Sequence, residues 1–350
     1  MIVVNARFLT QKITGVQRFA IEISKTLRTL NKEIIFITHS GILDQQLAYE
    51  LGAIVIGKNK GALWEQIDLR FYLLLKNKPL LVNFCNSGIL FYRQQIVTIH
   101  DMSYKVNPKW FSKIFYLWYN FLIPRIANSS LKIFTVSFSS KADILNYLQL
   151  KADKISVIYN SSYLNTNNNF GYKNSTRYLL SVSTLNPRKN LNTLIAAFNK
   201  TDKKVKLKIA GLASDHFDFE LNKDLLDSNI IMKGYVDDEE LGSLMANAEA
   251  FISLSLYEGF GIPAIEAMSL GCPVIVSDIA SHREICGDAA LYADPTDVDD
   301  VKNKIELLLS DARLKKDLII AGKENLNRFS WFNSGNMVLK IINEIVEKYK

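Results

Sequence analysis

Ser253-Leu-Ser-Leu-Tyr-Glu-Gly-Phe-Gly-Ile-Pro-Ala-Ile-Glu-Ala-Met-Ser-Leu-Gly271 reads as a strand end, a loop and a helix. The apolar run 250–254 is a buried strand that enters the stretch. A loop with two glycines follows, Glu258 to Gly261. Pro263 suits the first helical position and Gly271 suits the helix end. A loop between a buried strand and a helix N-terminus presents free backbone N–H groups and the positive end of the dipole. That makes it an anion site. Glu258 in the loop and Glu266 one turn into the helix would repel a phosphate, so they suit the hydroxyl groups of a sugar.

The same grammar extends in both directions. Short apolar runs at 2–4, 34–38, 53–56, 80–83, 96–100, 133–136 and 155–158 read as strands. Helical patterns at 15–30, 64–76, 110–127 and 139–148 lie between them. The stretch 160–177, rich in Asn, Ser, Thr and Tyr, has no period and reads as a linker. Alternation then restarts, with strands at 178–182, 206–210, 230–232, 250–254, 273–276 and 290–292. Helices are predicted at 191–199, 238–246, 263–270, 297–310, 311–327 and 331–350. Continuous apolar strands alternating with helices predict parallel sheets covered on both faces. At about 150 residues per domain, 350 residues suit two domains. The expectation is two doubly wound α/β halves, 1–165 and 176–330, facing a cleft. Ligands of such sheets bind beyond the carboxyl ends of the strands.

Apolar residues make up 48% and charged residues 22%, which excludes a disordered chain or a disulfide-stapled miniprotein. Cys85, Cys272 and Cys286 are few, far apart and odd in number, which suits a reducing compartment. The first residues read as a strand rather than a signal peptide, and no run is long and apolar enough to span a membrane. The net charge of +7 divides unevenly. Residues 1–170 hold 20 Lys/Arg against 9 Asp/Glu, a net of +11; residues 171–350 hold 22 against 26, a net of −4. The first half therefore suits an anionic partner. Lys105, Lys109 and Lys113 run beside Trp110, Phe111, Phe115, Tyr116 and Trp118, the composition of a helix lying on an anionic bilayer. Aromatics packed into the domain with solvated lysines is the other reading. No Arg-rich or RNP-like motif points to nucleic acid.

Three further strand ends carry polar residues. Ser181-Val-Ser-Thr-Leu-Asn-Pro187-Arg188-Lys189-Asn190 places two adjacent cations beyond a strand, suited to a pyrophosphate. Thr98-Ile-His100-Asp101 ends another strand. Thr14-Gly15-Val16-Gln17-Arg18 opens the first helix, where Gly15 permits close backbone approach. Arg18 reads equally as a phosphate contact or a helix-surface arginine. Asp297-Val-Asp299 matches a D-x-D metal pattern, but it follows Pro295 and opens a helix, so capping is the better reading. Ser281 to Glu284 reads as a loop with no role for His282.

Glu258 and Glu266 match the E-x7-E motif of retaining glycosyltransferases of family 4, and the surrounding run 258–276 resembles that family throughout. The resemblance covers nearly the whole chain and is nearest to bacterial O-antigen and polysaccharide glycosyltransferases, among which mannosyltransferases are common. It implies a GT-B fold, with two Rossmann-like domains, the donor on the second and the acceptor mainly on the first. The last helix, 331–350, is expected to pack back onto the first domain. It also implies residue roles. Arg188 and Lys189 would offset charge on the donor diphosphate, held at Gly259, Phe260, Gly261 and Ile262. Ser183 and Thr184 stand where many relatives have Gly and Arg, which leaves more of that work to Arg188 and Lys189. Glu258 would hold the transferred sugar and Glu266 the ribose hydroxyls. His100 would lie over the sugar, and Asp101 would orient the imidazole or touch the acceptor. Gly15 would approach the donor, and Arg18 would lie on the acceptor side. The expected activity is hexosyl transfer from a nucleotide diphosphate sugar, first GDP-mannose, to a lipid-linked oligosaccharide of lipopolysaccharide. Neither a catalytic metal nor a resident cofactor is expected. The expected location is the inner face of the cytoplasmic membrane, peripherally bound. A GT-B nucleotide-sugar epimerase and a non-catalytic GT-B partner subunit are the alternatives.

Overall fold

Two separate parallel sheets organise the protein in a computed structural model that describes residues 1–164, 176–202, 204–211 and 226–348. The core of the linker predicted at 160–177 lies outside the described residues. The first sheet holds β1 (Ile2–Asn5), β2 (Ile35–Thr38), β3 (Ile54–Val55), β4 (Leu80–Asn83), β5 (Gln95–Thr98), β6 (Lys132–Thr135) and β7 (Ile155–Val157). Its order is β3-β2-β1-β4-β5-β6-β7. The second holds β8 (Tyr178–Val182), β9 (Lys206–Ala210), β10 (Ile230–Gly234), β11 (Ala250–Ser253), β12 (Val274–Ser277) and β13 (Ala290–Ala293). Its order is β10-β9-β8-β11-β12-β13. Both orders reverse direction once, between β1 and β4 and between β8 and β11. Loops leaving the carboxyl ends of those paired strands diverge to opposite faces, which opens a crevice at each reversal.

Burial explains the sequence pattern. Every residue of β4, β5 and β12 is buried, as expected for strands covered on both faces. In the second sheet the two faces feed different cores. Tyr178, Leu180, Phe251, Val274 and Val276 pack with Ala264, Ala267 and Met268 of the helix Ile262–Ser269. Leu179, Ile252 and Ile275 point the other way, to Leu194, Ile195 and Phe198 of the helix Leu191–Asn199. This is the two-residue alternation of a strand.

The first unit comprises Met1–Lys105, Tyr116–Asn160 and Ser330–Lys350; the second comprises Val106–Phe115 and Ser161–Phe329. The final helix, Trp331–Lys348, lies against the helix Gly15–Leu30 of the first unit. Gly335 makes that approach possible, because a Cβ there would stand 2.3 Å from Thr26 Cγ2. Trp331 meets Phe19 edge-on at 6.2 Å, and the Ser334 hydroxyl donates to the Tyr159 carbonyl at 2.7 Å.

Two local expectations are corrected. The single helix predicted at 110–127 is a 3-10 turn, Pro108–Trp110, then a helix, Lys113–Ser129. Asn107 starts the turn by accepting from Lys109 N at 3.1 Å, so the chain bends before the helix begins. The segment around Ser281–Glu284 is not a loop but the middle of a short helix, Ala280–Cys286. Ser281, His282, Ile285 and Cys286 are its buried face. Two of those four are polar, which hid the helical stripe.

Candidate functional site

The site in the second unit is built where β8 and β11 lie side by side. After β8 the chain turns through Pro187–Lys189, with the Asn186 side chain accepting from Arg188 N at 2.9 Å. Asn190 ends the turn in the left-handed region at φ 55. After β11 the chain runs through Ser255 to Gly261. The Arg188 carbonyl accepts from Leu256 N, and Arg188 Nη1 donates to the Tyr257 carbonyl, both at 2.8 Å. One backbone bond and one side-chain bond thus join the two loops.

Three side chains converge on Glu258. Glu258 Oε2 accepts from Arg188 Nη1 at 3.1 Å, and Glu258 Oε1 accepts from Lys189 Nζ at 2.6 Å. The Ser255 hydroxyl donates to the same Oε1 at 2.6 Å. Burial pushes the Glu258 carboxyl up, but the charges of Lys189 and Arg188 and the hydrogen bonds from Lys189 and Ser255 outweigh it. The carboxyl is held well below the usual carboxylate range. Arg188 and Lys189, expected on a diphosphate, are therefore gathered by Glu258, leaving the cluster with one net positive charge. The sequence reading placed Glu258 on the sugar and did not foresee this pairing. It also missed Ser255, for which a serine next to an acidic loop is the only sequence signal.

Beside the cluster, Gly261 caps the helix Ile262–Ser269 at φ 96, with Pro263 in its first turn. Phe260 is buried and meets Phe329 edge-on at 5.6 Å, which anchors the loop. Gly259 is buried and Ile262 half-buried. Glu266 lies one turn into the helix with its side chain buried. His282, left without a role by the sequence, lies directly under Gly261: a Cβ there would come within 3.2 Å of its ring. The Ser277 hydroxyl donates to the Ser255 carbonyl at 2.6 Å, so His282 Nδ1, 3.0 Å from Ser277 Oγ and O, is the protonated nitrogen. Burial lowers the pKa of His282 although Glu258 raises it, so the ring is neutral near pH 7. Gly211, at the end of β9, has φ 138, and a Cβ would lie 1.8 Å from the Ser183 carbonyl oxygen. Asp297 is a helix cap that accepts from Asp299 N and Asp300 N, and Asp299 pairs with Lys200 at 2.6 Å. The D-x-D pattern is therefore a capping sequence. Among the described residues no group of three or more His, Cys, Asp or Glu side chains is placed to hold a metal ion.

The remaining sequence-derived residues lie in the first unit. His100 is buried after β5. Its Nε2 donates to the Phe84 carbonyl at 2.8 Å, and its ring meets Phe19 edge-on at 5.1 Å. Burial lowers its pKa. The Phe84 carbonyl, rather than Asp101, orients the imidazole; the Asp101 carboxylate accepts from Ser103 N at 2.9 Å. Gly15 is the exposed first residue of its helix, behind a capping box formed by Thr14 and Gln17. Arg18 pairs with Glu22 one turn on, at 3.8 Å. A buried polar cluster at the β1/β4 reversal was not legible in the sequence. Asn5 Nδ2 donates to Glu65 Oε1 at 2.7 Å and to Asn83 Oδ1 at 3.0 Å, while Arg7 Nε stands 3.2 Å from Glu65.

Residues 13–161 match Glycosyltransferase Family 4, and residues 165–325 match Glycosyl transferases group 1. O-antigen chain mannosyltransferase B of Escherichia coli is 26% identical over 364 residues, covering 92% of this chain and 93% of that protein. O-antigen chain mannosyltransferase RfbU of Salmonella typhimurium is 31% identical over 235 residues, covering 66% of this chain and 65% of that one. The crystal structure of HepE of Anabaena in complex with UDP-glucose superposes with a TM-score of 0.73 at 16% identity, over 98% of this chain and 99% of that one. That likeness bears on the fold, two Rossmann-like domains of the GT-B type.

Proposed function

Because the chain belongs to the glycosyltransferases of family 4 and group 1, we propose that it transfers mannose from GDP-mannose, with retention, to a lipid-linked saccharide during O-antigen synthesis. The observation that carries the reading is the cluster of Arg188, Lys189 and Glu258 beside the Gly261 helix N-terminus. The names of the two O-antigen relatives support mannose as the sugar.

In this reading the donor diphosphate lies against Gly259–Gly261, Arg188 and Lys189. Glu258 receives sugar hydroxyls and Glu266 ribose hydroxyls. The bond between the anomeric carbon and the phosphate oxygen breaks. An acceptor oxygen forms the new bond on the same face, and its proton passes to the departing diphosphate. The products are the glycosylated acceptor and GDP. The chain's own part is to hold two cations against the charge that develops on the leaving group, and to hold the acceptor oxygen on the leaving group's face of the sugar. His100 serves the transferred sugar, Gly15 belongs to the donor side, and Asp101 and Arg18 belong to the acceptor side.

The test incubates the purified protein with GDP-mannose, and separately with UDP- and dTDP-sugars, plus lipid-linked saccharide from a strain blocked at chain elongation. A mannosylated product with the donor's anomeric configuration by NMR is expected from GDP-mannose. Transfer from a UDP-sugar alone overturns the donor. Turnover of the donor without acceptor, to an epimer, overturns the transferase reading.

A further inference from the structure

A buried chain of amides fixes one carboxylate at the β1/β4 reversal of the first unit. Gln95 and Asn83 are fully buried, Asn5 is 5% exposed and Glu65 2%. The Gln95 amide is anchored on Ile89: Nε2 donates to its carbonyl at 2.8 Å, and Oε1 accepts from its N at 3.0 Å. Asn83 Nδ2 donates to the same Gln95 Oε1 at 3.3 Å, and Asn5 Nδ2 donates on to Asn83 and Glu65. The chain of amides thus crosses β5, β4 and β1 and ends on Glu65. The Ser87 hydroxyl adds a bond to Glu65 Oε1 at 2.9 Å. Glu65 itself comes from the stretch Trp64–Leu69, wound as a π-helical turn, with Trp64 and Leu69 packed on the sheet. Such turns are frequent at functional sites. Well-packed apolar side chains would fill the same space with little or no loss of stability. What the amides secure instead is the position of one carboxylate.

That carboxylate is half used. Oε1 takes Asn5, Ser87 and the ion pair with Arg7. Oε2 has no bond among the described residues, yet it is not shut off from solvent. The same holds for Nη1 and Nη2 of Arg7. An open acceptor atom and two open donors therefore stand side by side beyond the carboxyl ends of β1 and β4, where ligands of such sheets bind. The surroundings select against an anion. Cys85 and Tyr119 both feel the charges of Arg7 and Glu65, and Tyr119 also feels Asp101. Burial pushes the thiol and the phenol up to about 12, so both are neutral. One cation stands there against two carboxylates, although residues 1–170 carry a net of +11. A phosphate would be repelled. Two neighbouring hydroxyl groups fit, one donating to the carboxylate and the other accepting from the guanidinium.

We infer that Glu65 Oε2 and the Arg7 fork bind two adjacent hydroxyl groups on the terminal, neutral sugar of the saccharide acceptor. Asn5, Asn83, Gln95 and Ser87 are the positioning residues. The site rests on the first unit alone; its assignment to the acceptor rests on the transferase reading.

The test separates the two. Saturation-transfer NMR titrates the full chain, without donor, with methyl α-mannoside, methyl α-glucoside, methyl α-galactoside and mannose 6-phosphate. Binding of at least one neutral glycoside is expected, more tightly than the phosphate. Arg7→Lys keeps the cation but loses the fork, and should weaken that binding about tenfold. Glu65→Gln turns one acceptor oxygen into a donor and should weaken it at least as much. Thermal midpoints establish that each variant is folded. In transfer assays Arg7→Lys should raise KM for the lipid-linked saccharide about tenfold and leave KM for the sugar nucleotide within about twofold. A merely structural role would move both constants or neither. The inference is overturned if no neutral glycoside binds, if mannose 6-phosphate binds more tightly than all of them, or if folded Arg7→Lys binds like wild type. A chain that binds the glycosides but transfers from no donor overturns the transferase reading and leaves the sugar site standing.

Discussion

At the scale of single residues, Glu258 has two partners to satisfy. It pairs with both Lys189 and Arg188, and in the proposed reaction those cations must also meet a diphosphate. Lys189→Ala removes one of two cations from the leaving group, and a loss of about 10²–10³ in kcat is expected. Single-turnover kinetics at saturating donor measures it, and near-normal transfer would remove Lys189 from the mechanism. Glu258→Ala leaves two cations facing one another, so it should also destabilise the fold, by about 3 kcal/mol, read from the denaturant midpoint. The acid limb follows from the same shifts. The Glu258 carboxyl is depressed in the folded chain, so its stabilisation is complete above about pH 4.3, the unfolded value, and is lost as pH falls below it. His282 and His100 are held neutral by burial, so the unfolded chain takes up their protons first and stability falls as pH drops below about 6.5. His282→Gln should flatten the slope between pH 6.5 and 5 in denaturant titrations; an unchanged slope would show that the ring titrates normally. The sequence offered Arg188, Lys189 and Glu258 as candidates but not as partners. They are 70 residues apart, and their meeting depends on β8 lying next to β11. Strand order is a tertiary fact that no local pattern carries.

At the scale of elements, three glycines grade the strictness of the backbone. Gly234, at the end of β10, has φ 69 with nothing within 4 Å of a built Cβ. Gly234→Ala therefore meets only the left-handed strain, about 1 kcal/mol. Gly261→Ala adds a methyl 3.2 Å from the His282 ring, which is walled in by Ser277, so about 2–3 kcal/mol is expected. Gly211→Ala drives its methyl onto a backbone carbonyl and must displace the loop after β8, the costliest of the three. Thermal midpoints should fall in that order; any other order would mean that the loops relax around the added methyl. Legibility followed the same physics. Strands such as β4 and β8 stood out because burial on both faces leaves unbroken apolar runs, 80–82 and 178–180, each followed by a single polar residue. The helix Gln45–Leu51 was missed because it buries only Leu47, Ala48 and Leu51 in seven residues, too few for a period to emerge. The helix Ala280–Cys286 was missed because His282 is buried where a leucine would have announced the stripe.

At the scale of the whole molecule, the first unit is discontinuous: its last helix arrives from the far end of the sequence. That helix is amphipathic, with Ser334, Gly335, Val338 and Ile342 as its buried face. Burying Val338 and Ile342 contributes about 1.5–3 kcal/mol each. The Gly335 contact with Thr26 and the Ser334 bond to Tyr159 add shape and register. A chain ending at Phe329 keeps every strand of both sheets yet uncovers the helix Gly15–Leu30, whose Phe19 loses its ring contact with Trp331. The damage should therefore appear at the opposite end of the sequence from the cut. Native-state hydrogen exchange on this truncated chain should show amides of 15–30 losing protection by at least a hundredfold, the equivalent of about 3 kcal/mol. Amides of β11 and β12 should change by less than about threefold, because the second unit's cores draw no residue from the final helix. Gly335→Leu, which keeps the chain length but closes the space on Thr26, should reproduce the pattern more weakly. Equal loss of protection in both units would mean that they unfold as one body. Unchanged protection in 15–30 would mean that the final helix is not part of the first unit's stability.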